Sequence, residues 1–372
     1  MTMMQHHRYI GLDVHRATIA VAFADPDQTA VSYGTIPNTP EAIHKVINKL
    51  GGPDRILHVA YEAGPTGYVV YRQLTSMGVE CQVVAPSLIP TRAGDRVKTD
   101  RRDALKLARL LRSHELTAVW VPDQEHEALR NLVRARAAAK ADQLRAKHRL
   151  GKFLLCLGAR PPVGVHNWSK RHFAWLRTLE FSHAADQVVF DDYLAEVIAA
   201  GERVKRLETA LRQCAKTTRQ VAVIQALQAL RGIGFISAVT IVAEAGDLRR
   251  FPTAPLFMGY TGAVPSEASS GPKQHRGHIT RTGNHALRHI LGEAAHHARH
   301  APCLSDDLKR RQQHVPRAVV DLAWRAQLRL HARYRHLSMR IGPRKAIVAV
   351  ARELAGFVWA VGQALHPETV TA

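Results

Sequence analysis

Phe190, Tyr193, Val197, Ala200, Val204, Leu207, Leu211 and Cys214 recur at alternating steps of three and four residues without a break. That spacing is the seam of a coiled coil, and it restricts the fold more than any other feature of the chain. A helix of this length cannot bury its apolar stripe alone; it needs another helix alongside. An earlier run repeats the spacing: Leu129, Leu132, Arg136, Ala139, Gln143, Ala146, Leu150 and Phe153, with Arg136 and Gln143 as polar interruptions. Between the two runs lies an irregular piece with Pro161-Pro162, Trp168 and Trp175. The pattern predicts two long helices within 125–220. They fold back on each other or pair between subunits, since a seam does not by itself set the oligomeric state.

Residues 1–124 read differently, as short apolar runs separated by turns. Tyr9–Val14 is a short apolar strand, and Thr18–Phe23 follows it after a tight turn at His15-Arg16. Ala30–Ile36 is a third strand. Thr39-Pro40-Glu41 opens a helix with an N-cap and an N1 proline, and Gly51-Gly52 closes it. Ile56–Glu62 is a fourth strand; Gly64-Pro65 and a helix to Gly78 separate it from a fifth at Cys81–Ala85. Strands followed by strand–helix alternation predict a mixed sheet covered by helices. The fold class is α/β plus mainly α: a mixed-sheet domain at 1–124, long helices at 125–220, and mostly helical regions at 221–300 and 301–372.

Reactive groups in such sheets gather at the carboxyl ends of strands. Asp13 ends the first strand and Glu62 ends the fourth. Two further acids stand in Lys98-Thr99-Asp100-Arg101-Arg102-Asp103, where an apolar-periodic run (Ala104, Leu107, Ala108, Leu111) begins. Asp100 and Asp103 share one helix face. They read either as first-turn acids favoured by the helix dipole, with Thr99 or Asp100 as cap, or as ligands. With Asp13 and Glu62 they form a D…E…D-x-x-D set, and hard divalent cations such as Mg²⁺ prefer carboxylate oxygens. Two such ions about 4 Å apart clamp the attacking and leaving oxygens of a phosphodiester displacement.

Charge supplies the context for those acids. Lys and Arg number 52 against 31 Asp and Glu, a net +21 that favours a polyanionic partner. An anionic membrane is disfavoured: Ala346–Gly362, the most apolar late run, is broken by Arg352 and Glu353 and too short to span. Met1–His7 contains no apolar signal region. The 4 cysteines are scattered without a C-x-x-C pair, and read as buried free thiols in a reducing, cytoplasmic compartment. Glu293, His296, His297 and His300 have metal-like spacing, but 22 histidines make such clusters expected by chance. Candidate backbone contacts are Lys98, Arg101 and Arg102, then Arg130, Arg134 and Lys140 on the first long helix.

Leu227–Asp247 reads as a helix, a Gly232-Ile233-Gly234 turn and a second apolar helix, which resembles a helix–hairpin–helix. Gly232 and Gly234 would let backbone N–H groups approach phosphate; an ordinary turn between core helices also fits. Glycines and prolines from Gly259 to Gly283 then make a loop. It sets the hydroxyls of Ser269 and Ser270 among Lys273, Arg276 and, further on, Arg288, a group able to hold phosphate. Residues 301–372 are helical by periodicity and basic.

Gly11-Leu12-Asp13-Val14-His15, Tyr61-Glu62-Ala63-Gly64-Pro65-Thr66-Gly67 and Asp95–Ala104 resemble the N-terminal domain of the DEDD insertion-sequence transposases, a group similar in fold to the junction-resolving nuclease RuvC. The resemblance implies a ribonuclease-H-like sheet with Mg²⁺ held by Asp13, Glu62, Asp100 and Asp103. Pro265-Ser266-Glu267-Ala268-Ser269-Ser270-Gly271, then Gly277-His278-Ile279-Thr280-Arg281-Thr282-Gly283-Asn284 and Leu287-Arg288, look like the C-terminal domain of the same transposases. There the serine before the glycine is the nucleophile, which maps to Ser270 with Ser269 as its neighbour. The resemblance further implies a structured guide (bridge) RNA that pairs with donor and target DNA. It also implies dimers joined into a tetramer, with sites completed between subunits; the residues themselves fit docking within one chain or across a dimer.

The resulting expectation is a DNA transposase or recombinase acting on double-stranded donor and target DNA. Two alternatives use fewer parts. A RuvC-like junction-resolving nuclease would need only the four acids and Mg²⁺. A non-catalytic nucleic-acid-binding scaffold would use the acids merely as helix caps.

Overall fold

The computed structural model describes residues 6–52, 55–90, 99–267 and 276–365, with the Arg276 side chain excluded. Lys98, Ser269, Ser270 and Lys273 lie outside the described residues. The chain divides into two compact units, Met1–Val121 and Pro122–Ala372.

The first unit is the mixed sheet that alternation predicts. Strands β1 (His6–Val14), β2 (Thr18–Ala24) and β3 (Val31–Pro37) form a meander. Helix α1 (Pro40–Gly51) leads to β4 (Arg55–Glu62), and α2 (Val69–Ser76) leads to β5 (Glu80–Val84). The spatial order is β3-β2-β1-β4-β5, with β1 antiparallel to β2 and parallel to β4. One sheet face buries Ile10, Leu12, Ile19, Val59 and Tyr61 against Ile43, Ile47 and Leu50 of α1 and Leu74 of α2. The other face is built from small residues, Ala20, Ala22 and Ala24, and receives Ala104 and Ala108 of α3 (Asp100–Arg112). Side-chain size thus decides which helix comes closest to the sheet.

In the second unit α4 (Gln124–Cys156) and α6 (Ala184–Thr217) are the two long helices, packed on each other within the chain. Phe190, Val197, Val204 and Leu211 of the seam are buried, as are Ala139, Ala146 and Leu150 facing them. The seam drifts at its end: Cys214 is exposed and Ala215 is buried instead. A straight helix of 3.6 residues per turn slips relative to a 3.5-residue repeat, which accounts for the drift. The polar interruptions are absorbed. Arg136 Nε donates to Glu208 Oε1 at 3.0 Å, and Gln143 lies under Gly201, where a Cβ would stand 3.3 Å from its Nε2. Trp168 and Phe181, with Phe173, Trp175 and Leu176 of α5 (Lys170–Leu176), cover one end of this pair around Leu154 and Phe190.

A second core gathers the remaining helices. These are α7 (Val221–Leu227), α8 (Phe235–Ala245), α9 (Ala254–Tyr260), α10 (His285–Ala295), α11 (Asp306–Gln312), α12 (Arg317–Ile341) and α13 (Pro343–Ala364). A short ribbon, β6 (Pro265–Glu267) with β7 (Arg276–Ile279), projects between α9 and α10 in sequence. By length and composition α13 could cross a membrane, but Ile347, Val350, Leu354, Val358 and Val361 are buried in this core. The cysteines correct the sequence expectation in part. All four are free thiols, but Cys156, Cys214 and Cys303 are exposed. Only Cys81 is half-buried, and burial pushes its thiol up to about 12.

Candidate active site

Register places the first two acids. Leu12 of β1 stands opposite Tyr61 of the parallel β4, so Asp13 and Glu62 follow side by side at the carboxyl ends of neighbouring strands. Gly11 places the other two. A Cβ there would collide with Ala104 O and would come within 2.5 Å of Ala108 N. Only a residue without a side chain lets the α3 backbone rest on β1. Thr99 is the cap of α3: its Oγ1 accepts from the Arg102 N–H at 3.3 Å. Asp100 and Asp103 therefore stand within the first turn, not at the cap, with Arg101 and Arg102 exposed beside them.

Asp13 and Asp100 meet across His15. His15 Nε2 lies 3.3 Å from Asp13 Oδ2 and 3.4 Å from Asp100 Oδ1, and the ligand atoms of the three residues fall within 4.8 Å of one another. The Asp13 carboxyl is held above its ordinary value. Burial is the main cause; His15 pulls it down, while Asp100 and Asp103 push it up. A hard divalent cation would relieve that crowding of negative charge, and carboxylate oxygens are the donors such an ion takes. The residues present fit the ion. A cavity of about 520 Å³ opens beside them, lined by Asp13, His15, Arg16, Glu62, Gly64 and Thr66. His15 is the member that sequence reasoning missed as a functional group. Its signal was its position two residues after Asp13 in the Gly-Leu-Asp-Val-His stretch, where β1 ends.

The cationic candidates of the second unit have structural partners. Arg130 is buried, and its Nε donates to Ala243 O at 3.0 Å; His126 Nε2 stands 2.9 Å from the same oxygen. Arg250 Nε donates to Ala245 O at 2.8 Å. These groups satisfy the orphan carbonyls at the end of α8 and face the negative end of its dipole. Arg134 makes a two-pronged ion pair with Glu244, at 2.8 and 2.9 Å. Lys140 is exposed, with Nζ 2.9 Å from Gln143 Oε1.

Gly232 has φ +88, and a Cβ there would come within 2.6 Å of Ala294 O, so this glycine is needed for packing against α10. Gly234 caps α8 with open space around it. Arg288 Nη1 donates to Thr261 O at 3.0 Å, at the base of the β6–β7 ribbon.

Comparison with known proteins identifies the family. Residues 10–157 match a family model described as a transposase of DEDD type, and residues 224–333 match one described as the transposase IS116/IS110/IS902 family. A putative transposase of Sinorhizobium fredii, y4qE, is 42% identical over 97% of this chain and 90% of its own length. The transposase for insertion sequence element IS1533 of Leptospira borgpetersenii is 32% identical over 90% of this chain and 97% of its own. The transposase for insertion sequence element IS1111A of Coxiella burnetii is 24% identical over 78% and 73%. With its four acids at one end of the sheet and both family segments in order, this chain belongs to the IS116/IS110/IS902 family of transposases.

Proposed function

We propose that this transposase cuts and rejoins donor and target DNA, using Mg²⁺ held by Asp13, Glu62, Asp100 and Asp103 and the hydroxyl of Ser270. The observation that supports the reading is the meeting of Asp13 and Asp100 at His15, with Glu62 at the end of the neighbouring strand and Asp103 in the same first turn of α3 as Asp100. When bound, Mg²⁺ supplies Lewis-acid polarisation of the scissile phosphate. Ser270 Oγ forms a bond to phosphorus while the bond from phosphorus to one sugar oxygen breaks, and the serine's proton ends on the departing sugar oxygen. The phosphoserine keeps an ester bond, so a new sugar hydroxyl displaces the serine and regains a continuous strand without ATP. Lys273 and Arg276 offset charge on the phosphoryl oxygens. A structured guide RNA selects donor and target, and the active assembly is a dimer that pairs into a tetramer.

The test is a strand-exchange assay on defined donor and target DNA with the co-purifying RNA present. Replacing Asp13, Glu62, Asp100 or Asp103 by Ala is expected to abolish exchange while DNA affinity stays within about threefold, because cations elsewhere carry the attraction. Normal exchange by an Asp100→Ala/Asp103→Ala variant would refute the four-acid site. Nicked products with no rejoining in the wild type would favour the hydrolytic nuclease. Sequencing the co-purifying RNA tests the guide directly.

A further inference from the structure

Arg325, Arg329, Arg333, His336 and Arg340 follow one another along α12 at steps of four, four, three and four. On a helix these positions share one face. Together with Leu322, Leu328, Glu353 and Phe357 they border a groove between α12 and α13 of about 770 Å³, Arg340 lying just past its end. Glu353 is the one acid among the lining residues. Arg329 pairs with it and Arg333 Nε stands 3.9 Å away, so two guanidiniums share a single carboxylate. Both remain largely open to solvent, with side chains 69% and 51% exposed. The apolar part of the lining is equally unusual for a solvated cationic face: Leu328 is 47% exposed and Phe357 is half-buried.

We infer that this groove binds an unpaired stretch of DNA, with the arginines on its phosphates and its bases laid against Phe357, Leu322 and Leu328. The excess of positive charge selects a polyphosphate. The apolar lining selects unpaired nucleotides, because a duplex keeps its base faces stacked and would leave that lining unused. From Arg325 to Arg340 the stripe runs about 22 Å at 1.5 Å per residue, long enough to follow a strand of a few nucleotides. DNA is the source because a transposase separates DNA strands when it transfers them. The inference does not depend on Ser270 or on the Mg²⁺ site.

The experiment uses the full chain and fluorescence anisotropy with a labelled deoxythymidine 12-mer, the matched uridine RNA and a duplex of equal length. An Arg325→Gln/Arg329→Gln/Arg333→Gln variant is expected to weaken binding of the deoxythymidine strand about tenfold and to flatten its log–log salt dependence by about one to two. Phe357→Leu is expected to weaken it about threefold with the salt slope unchanged, since stacking releases no counterions. Glu353→Gln is expected to tighten it about threefold by freeing the two arginines. That variant keeps the test valid if the triple substitution unfolds the protein. Unaltered single-strand affinity in the triple variant, or weaker binding by Glu353→Gln, would overturn the assignment. A loss confined to the duplex, or larger for RNA than for DNA, would overturn the choice of partner.

Discussion

Glu244 shows how far a single residue can be read. Its side chain is 2% exposed, yet it is a carboxylate, held by Arg134 and by Asn284 Nδ2 at 2.7 Å. Burial alone would raise its carboxyl, but the hydrogen bonds from Arg134 and Asn284, aided by the charges of Arg134 and Arg130, bring it below the ordinary 4.5. A depressed folded-state value stabilises above the unfolded value and loses that stabilisation as pH falls through the folded one. The melting-temperature gap between wild type and Glu244→Gln should therefore be widest near neutral pH and shrink below about pH 4.5. The two partners are not equivalent. Arg134→Ala leaves a buried charge with fewer partners and should cost about 3 kcal/mol, whereas Glu244→Gln should cost about 2. Denaturant melts of both variants at pH 7 check the order. Sequence could not show this pair, since 110 residues separate its members and Arg134 reads as one more cation on a basic helix.

At the scale of elements the sequence is most legible where period and size agree. Short apolar runs bounded by turn residues located all five strands of the first unit, and the seam located both long helices. Which helix would press closest to the sheet was written in Gly11, Ala20, Ala22 and Ala24, but only the register of neighbouring strands makes those residues one surface. The β6–β7 ribbon was not legible, because three- and four-residue strands in a Gly- and Pro-rich loop carry no usable alternation. Gly11 yields the sharpest prediction here. Gly11→Ala should push α3 off β1, lowering stability by about 1–3 kcal/mol as overpacking does. The displaced α3 would carry Asp100 and Asp103 away from Asp13, so Mg²⁺-dependent exchange should fall further than the loss of folded protein explains. Exchange rates measured well below the variant's melting temperature, normalised to folded fraction, decide it. A normal rate there would mean that the α3 acids need no such fit.

For the whole molecule, charge and order carried the reading. A net +21 called for a polyanion, and the two family segments at 10–157 and 224–333 follow in the order the motifs suggested, the first running through α4 and α6 lying between them. Asp13 and Asp100, 87 residues apart in sequence, meet at His15, with Glu62 at the neighbouring strand end, because parallel neighbours end at the same rim and a glycine admits one helix. What a sequence can place only by resemblance is the partner of those acids in the reaction, the serine. The most direct measurement is therefore adduct mapping. Wild-type protein is trapped with nicked DNA in Mg²⁺, digested, and the DNA-linked peptide is sequenced by mass spectrometry. The account predicts a phosphodiester adduct on Ser270 that is lost in Ser270→Ala and in Asp13→Ala and is kept in Ser269→Ala. Full strand exchange by a Ser269→Ala/Ser270→Ala variant would contradict it, leaving the carboxylates as the only catalytic centre.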